Sequence, residues 1–437
     1  MRVLCFLQPG TNSRSIFQGL IRGFARAGHE PLVLELEPLF KARAQPGADP
    51  ARLATLAAAE LARLCREHRP DASIAMWGNA LTTFAGSLRE GVPVSAFDIL
   101  DLPHICYWLD APHWASQSTW LPFFRHPMLR APRLTHVINN AATAREMTDI
   151  LGFGPTHALP YAIDDETFRP FPERRDHDLA VSVGPGDPDP TPAELAALGD
   201  DQPDMPALRA ARAALALARL ARAGGVVGAA MPLLEPLARA HAASPAMPLL
   251  DRLHALAARD ESLAPLARAL VGDPAAFATA AAIIRESRAF ERAFTVCWLA
   301  RRCSVLAFGA MSPAWPFGGT RLGEVPFEDM PRHYCRATAA LNVMRWQDEV
   351  GINLKPYESA AAGVPCLIGE RLGLDAHFEP GREILPFTSP PHALDLLRTL
   401  RDSPAEREAI AANARARVQR DHTWRTRAEQ LLALVHR

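Results

Sequence analysis

The stretch from Val350 to Glu370, V-G-I-N-L-K-P-Y-E-S-A-A-A-G-V-P-C-L-I-G-E, constrains the fold more than any other part of the chain. A polar loop carrying Asn353 and Lys355 leads to Glu358. Ser359 to Ala362 then reads as a short helix of small residues that Gly363 closes, and Val364 to Ile368 as a buried strand ending in Gly369. Helix, glycine stop, proline and a short apolar run make one α-to-β step of a parallel sheet. Such sheets bind ligands outside the carboxyl ends of their strands. Glu358, expected at a helix N-terminus on that edge, is suited to accept hydrogen bonds from neutral hydroxyls such as those of a ribose. Lys355 offers a point charge for phosphate. Among 47 lysines and arginines only Lys41 and Lys355 are lysine. The two residue types are not interchangeable at a phosphate, so Lys355 is either a phosphate ligand or a chance exposed lysine.

The N-terminal part has the same grammar. Arg2 to Leu7 reads as a strand, Gln8 to Ser13 as a polar glycine loop, Ser15 to Ala27 as an amphipathic helix and Pro31 to Leu36 as a second strand. This is the opening of a doubly wound α/β domain; it lacks GxGxxG and gives no evidence for NAD. Ala51 to His68 is a long helix. Ala72 to Trp77, Val92 to Phe97, His104 to Leu109, Thr135 to Asn139 and His157 to Pro160 are further candidate strands. After the third of these comes Trp108-Leu109-Asp110-Ala111-Pro112-His113-Trp114. Aromatic faces pack on sugar C–H surfaces, and Asp110 or His113 could take a proton from an acceptor hydroxyl. The structural alternative is that Asp110 caps the following turn.

A second α/β pattern starts with the strand Asp178 to Val183 and the loop Gly184-Pro185-Gly186-Asp187-Pro188-Asp189. Its amides, at Gly184 and Gly186, can approach a diphosphate closely. Asp187 and Asp189 are each followed by proline, which favours a rigid turn over a metal pair. Thr191 to Arg301 carries apolar residues in steps of three and four, as in Leu208-Ala211-Leu215-Ala218, and is expected to be a helical insertion. Two near copies within it, from Met231 and Met247, are too few for a solenoid. This insertion could recruit an acceptor, build an oligomer or buttress the sheet. Strands resume at Ser304 to Phe308, followed by Gly309, and at Ala339 to Met344.

The chain has 437 residues, 49% of them hydrophobic, enough for two domains with full cores. A net charge of −1 argues against a general nucleic-acid or anionic-membrane surface. Seven cysteines without CxxC spacing fit reduced, buried thiols and make a zinc site unexpected. The short apolar run before Gln8 reads as a strand rather than a signal peptide, and no run approaches the ~18–20 residues that span a bilayer. A cytoplasmic protein without a transmembrane segment is the expectation.

The stretch G-I-N-L-K-P-Y-E-S-A-A-A-G-V-P-C-L-I resembles the donor-binding motif of glycosyltransferases with the GT-B fold, and within them the group typified by the spore-maturation protein CgeB. The resemblance implies two Rossmann-like domains facing a cleft, with Glu358 on the ribose of a nucleotide sugar and Lys355 on its diphosphate. Several further phrases are similar to the same family. Trp108-x-Asp110-x-Pro112 matches an element of the CgeB-like group. Tyr161 to Pro170 resembles the interdomain crossing, Gly323-Glu324-Val325 with Met330 to Tyr334 the base-binding region, and His422-Thr423-Trp424-x-x-Arg427 the closing phrase before a helix that packs back on the first domain. By this resemblance the domains are 1–170, 171–420 with the insertion 191–301, and 421–437. Val325 then stands where the base is held. Gly10 and Asn12, in the first glycine loop, become acceptor or sugar contacts, unless that loop is a simple turn. No cofactor or donor-site metal is expected beyond the nucleotide-sugar co-substrate.

Transfer requires stabilising a departing nucleoside diphosphate. Without a metal this falls to Lys355, glycine amides at Gly184, Gly186 and Gly309, and an arginine, for which Arg345 just before the motif is the best candidate, unless it is one more surface arginine. Retaining GT-B enzymes often carry a second glutamate eight positions before the ribose-binding one; here that position is Val350, with Asp348 and Glu349 out of register. If the reaction inverts, Asp110 or His113 is the general base. Three functions fit: a glycosyltransferase acting on a protein, polysaccharide or small-molecule hydroxyl, a nucleotide-sugar epimerase, or a silent sugar-nucleotide binder working through its helical insertion.

Overall fold

The protein is described by a computed structural model covering residues 1–10, 12–47, 49–84, 87–89, 92–115, 120–244, 247–344 and 349–435. Its contacts separate two units, Met1–Asp164 with His422–Arg437, and Asp165–Asp421.

In the first unit the strands are β1 (Arg2–Leu7), β2 (Glu30–Glu35), β3 (Ala72–Met76), the short β4 (Ser87–Arg89) and β5 (Val92–Val94), β6 (His104–Tyr107), β7 (Leu134–Ile138) and β8 (Thr156–Ala158). Six of them form a parallel sheet in the order β2-β1-β3-β6-β7-β8, while β4 and β5 pair antiparallel apart from it. The expected strand Val92 to Phe97 therefore ends at Val94. Ser95 stops it: its hydroxyl accepts from the Phe97 amide at 3.1 Å and caps the one-turn helix Ala96–Ile99. The central strands are buried along their whole length, as sheets covered on both faces require.

Helix α1 (Asn12–Arg26) follows β1 directly, and α2 (Ala141–Asp149) follows β7 under an Asn140 cap. The C-terminal helix, Trp424–Val435, completes this unit. A methyl group at Gly19 would come within 2.9 Å of the Trp424 indole, and one at Gly23 within 2.6 Å of its backbone, so two glycines cut the notch that seats this tryptophan. Ile163 pairs with Thr423, Asp164 accepts from Arg22 at 2.5 Å, and buried Arg427 donates to the Tyr161 carbonyl at 3.1 Å.

The second unit holds β9 (His177–Val183), β10 (Val305–Gly309), β11 (Thr320–Arg321), β12 (Ala337–Asn342), β13 (Cys366–Gly369) and β14 (Leu385–Phe387), all parallel in the order β11-β10-β9-β12-β13-β14. The order reverses between β9 and β12, the switch point where open α/β sheets bind ligands. Between β9 and β10 the described residues are helical, including α3 (Met205–Ala223), α4 (Met231–Ala243), α5 (Leu249–Arg259), α6 (Pro274–Glu286) and α7 (Phe290–Ala300). The ends of this segment are not peripheral. Met205 and Leu208 of α3 and Phe290, Phe294, Cys297 and Trp298 of α7 share one core with sheet residues Leu179, Val181, Val305 and Leu341. The two near copies also differ, with Pro232 inside the first turn of α4 and Pro248 as the cap of α5. Helices α8 (Leu354–Ala361) and α9 (Pro390–Asp402) follow β12 and β14.

Candidate functional site

The Val350–Glu370 stretch forms the expected α-to-β step, with one correction. The helix starts at Leu354, so Glu358 is its fifth residue and Asn353, not Glu358, stands at its N-terminus. Asn353 caps α8 by accepting from the Lys355 amide at 3.1 Å. Pro356 sits in the first turn, where a missing N–H costs nothing, and so does not delay the helix. At the other end Gly363, at φ +74°, and Val364 donate to the Ala360 and Ser359 carbonyls at 3.0 and 2.9 Å, a Schellman closure.

Glu358 is buried, 3% exposed, and accepts from the Tyr334 hydroxyl at 3.1 Å. Tyr334, on Met330–Cys335, also hydrogen-bonds Ser182 at the end of β9, and its edge meets Phe308. Burial raises the Glu358 carboxyl above its ordinary value; Lys355 and the Tyr334 hydroxyl oppose that rise. A carboxylate offers about four lone-pair sites. One phenol therefore leaves Glu358 capacity for a ligand's hydroxyls. Lys355, half-buried, lies on the same turn and close enough for its charge to act on Glu358.

The glycines differ in kind. Gly184 and Gly186 have open space where a side chain would sit, and Gly186 adopts φ +103°, so their loop is accessible to a ligand. Arg292 of α7 fixes that loop, donating to the Gly184 carbonyl at 2.7 Å and to Asp187 at 2.9 Å. Asp187 is thus spent on an internal ion pair. At Gly309 a methyl would fall 2.0 Å from the Val183 carbonyl, so strand packing alone demands glycine there. Val325 lies half-buried between Gly323 and the turn Phe327–Asp329. Arg345 and Asp348 lie outside the described residues.

Glu349, two residues before Gly351, is committed elsewhere. Its carboxylate pairs with Arg285 of α6, lies 3.5 Å from His241 of α4 and accepts from the Leu249 amide of α5 at 3.0 Å. Three helices of the insertion hold the entry to the donor motif. Beyond Glu349 the chain bridges Val350 to Leu372 and turns at Gly351, φ +73°.

In the first unit Trp108 is not placed to meet a sugar. Its side chain is 1% exposed, its Nε1 donates to His136 Nδ1 at 3.2 Å, and its ring packs edge-on against Trp120 and Phe153. Burial presses His136 down to about 4, keeping it neutral for that bond. His113, 0% exposed, lies with Nε2 3.3 Å from Oε2 of Glu146 on α2, itself 1% exposed. Sequence reasoning missed Glu146, which sits on an amphipathic helix with no motif around it. Asp110 is half-buried, one residue before the cap position of Pro112–Ala115. Gly10 turns the chain after β1 at φ +111°, and Asn12 is the exposed first residue of α1. Along the same carboxyl edge, Gln8 Oε1, Trp77 Nε1, Tyr107 Oη and Asn139 Nδ2 are buried without a protein partner. Trp77 also adopts φ +52°, a strained value for a bulky residue.

Residues 285–433, which include the whole donor motif, match a family model described as glycosyl transferase-like. No curated protein matches the chain by sequence. Among solved structures, Anabaena HepE, determined with UDP and glucose, aligns at TM-score 0.51 and 12% identity over 100% of this chain and 99% of that one. The T4 phage β-glucosyltransferase aligns at 0.50 and 9%, again over 100% and 99%. A DNA-modifying β-glucosyltransferase studied with and without uridine diphosphoglucose gives 0.50 and 10% over the same shares. Identities this low speak for the fold alone, and that fold is the two-unit α/β architecture of GT-B glycosyltransferases.

Proposed function

We propose that the chain is a glycosyltransferase that binds a nucleoside-diphosphate sugar at the carboxyl edge of its second sheet and passes the sugar to a hydroxyl acceptor without a metal ion. The observation that carries this reading is the buried Glu358 carboxylate, held by Tyr334 and set one helical turn from Lys355 at the switch point, within the segment that matches the family model. In the proposed complex Glu358 accepts from the ribose hydroxyls. Lys355, the N-terminus of α8 and the open amides at Gly184 and Gly186 stabilise charge on the departing diphosphate, and Arg345 adds a second cation. Val325 holds the base. Gly309, whose amide already donates to the Gly323 carbonyl at 2.5 Å, is left out of the proposed ligand set. The UDP and UDP-glucose named for the HepE and β-glucosyltransferase structures make UDP-sugars the first donors to test.

On the acceptor side Asp110 and His113 remain the candidate bases. Glu146 would orient the imidazole and stabilise its protonated form, a positioning task. Gly10 and Asn12 border the same edge. A protein, a polysaccharide or a small metabolite would serve as acceptor provided it offers a hydroxyl. The test is incubation with labelled UDP-sugars and a panel of hydroxyl acceptors in EDTA. Release of UDP with label on an acceptor is the expected result. Donor that is merely epimerised, or transfer that stops in EDTA and returns with a divalent ion, would overturn the reading or its metal-free form respectively.

A further inference from the structure

A cavity of about 290 Å³ lies in the second unit between the helical insertion and the carboxyl ends of β12, β13 and β14. Its wall presents Arg209, Arg288, Glu291 and Thr295; Thr388 and Ser389, at the N-terminus of α9, close the other side. Neither Glu358 nor Lys355 lines it. It is near the small end of ligand pockets, which start at ~300 Å³, and far larger than the ~30 Å³ share of one water.

The charges of the described residues around it do not balance. Glu291 is gripped from both sides, by Arg209 at 3.0 and 3.2 Å and by Arg288 at 2.6 and 3.0 Å. Burial works to raise the Glu291 carboxyl, yet the two guanidiniums outweigh it and hold the group below its ordinary value, so it is ionised. Behind this wall Arg252 donates to the Ser244 carbonyl at 2.9 Å and Arg285 pairs with Glu349. Among the described residues four guanidiniums thus face two interior carboxylates, Glu291 and Glu349, and Glu370 exposed at the mouth. Arg288 Nη1 and Arg252 Nε are buried with no protein partner. Burial and the charges of Arg288, Arg285 and Arg252 push neighbouring His241 down to about 3, as a crowded positive interior would. A buried cationic donor left unpaired is costly, and the N-terminus of the 13-residue α9 adds positive potential.

We infer that this cavity binds an oxyanion, the phosphate or carboxylate of a small molecule, with Arg288 as its principal donor. Glu291 holds the Nε and Nη2 edge of Arg288, a residue that lines the cavity, so Nη1 is the nitrogen left to reach a ligand once the wall opens by a small side-chain shift. Bound there, the anion would sit against the helices that hold Glu349 and would stiffen the entry to the donor motif.

The experiment is calorimetric titration of the full chain with inorganic phosphate and, separately, with malonate at constant ionic strength. One of the two should bind saturably, and the tighter one identifies phosphate or carboxylate as the group recognised. Arg288→Gln should weaken binding about tenfold or more, the size of one lost charged hydrogen bond, while Lys355→Ala leaves it unchanged. Should Arg288→Gln fail to fold, Ala243→Phe, which fills the cavity without altering charge, must abolish binding. Failure of both anions to saturate would overturn the inference. So would binding that Lys355→Ala removes and UDP displaces, because the anion would then occupy the donor site.

Discussion

At the carboxyl edge of the first sheet the buried polar groups are mostly neutral and incompletely hydrogen-bonded; at the edge of the second they are charged and held. Gln8, Trp77, Tyr107 and Asn139 each leave a donor or acceptor unsatisfied, whereas Glu358 has Tyr334 and Glu349 has Arg285. A buried unsatisfied group costs ~1–3 kcal/mol. A fold tolerates a row of them where a ligand completes the bonds, and neutral groups suit a hydroxyl-bearing ligand. The cation Lys355 beside Glu358 suits a phosphorylated one, because positive charge is stabilising where negative charge develops. The contrast is the one that the proposed division, acceptor chemistry in the first unit and donor chemistry in the second, requires.

The sharpest way to break this contrast is at Lys355. Lys355→Ala should weaken binding of a nucleoside diphosphate by about 1.5–3 kcal/mol, the range for a charged hydrogen bond, and leave the free nucleoside unaffected. Equal losses by calorimetry would remove the phosphate role.

A pH series probes the buried neutral groups of the first sheet next. In the first unit His104 is pressed well below its ordinary value, mainly by burial, and His136 to about 4. Both stay neutral in the folded state while the unfolded chain takes up protons below pH ~6.5. Stability is therefore full above that pH and should fall as pH drops towards 4, by up to ~1.4 kcal/mol per pH unit for each histidine. A flat denaturation midpoint across that window would contradict the burial.

Glu358 has the opposite sign. Its carboxyl is raised, so it favours folding below the unfolded value of ~4.5 and loses that contribution as pH rises through the folded value. Glu358→Gln should raise the melting temperature at pH 7 but not at pH 4, by about 1 kcal/mol or less, while weakening nucleotide binding. The smallest expected effect sharpens the comparison. Asn139→Leu should change nucleotide affinity by less than ~0.5 kcal/mol and lower turnover with a hydroxyl acceptor. A reversed pattern would put donor and acceptor on the wrong units.

Much of this was legible in the sequence. The glycine stop at Gly363, the apolar run after it and the spacing from Asn353 to Glu358 are local signals, and the parallel sheet and the nearness of Lys355 to Glu358 followed from them. The misreadings have physical causes. Pro356 looks like a barrier to a helix but is harmless in a first turn, which hid the start at Leu354. Trp108 beside Asp110 reads as a sugar platform, and only three-dimensional packing shows its indole spent on His136. The Glu349 clamp joins residues 64 and 100 positions apart, a separation to which periodicity is blind. The insertion looked like one block, yet α7 belongs to the sheet's core; its density of Phe and Trp was the available clue.

The most direct test of the central claim is calorimetric titration of UDP and UDP-sugars into the wild type and Glu358→Ala, with Asn139→Leu as the control from the other edge. The account predicts saturable binding by the wild type and Asn139→Leu, and a loss of about 1.5–3 kcal/mol in a folded Glu358→Ala. Unchanged affinity in Glu358→Ala, with the loss appearing in Asn139→Leu, would contradict it.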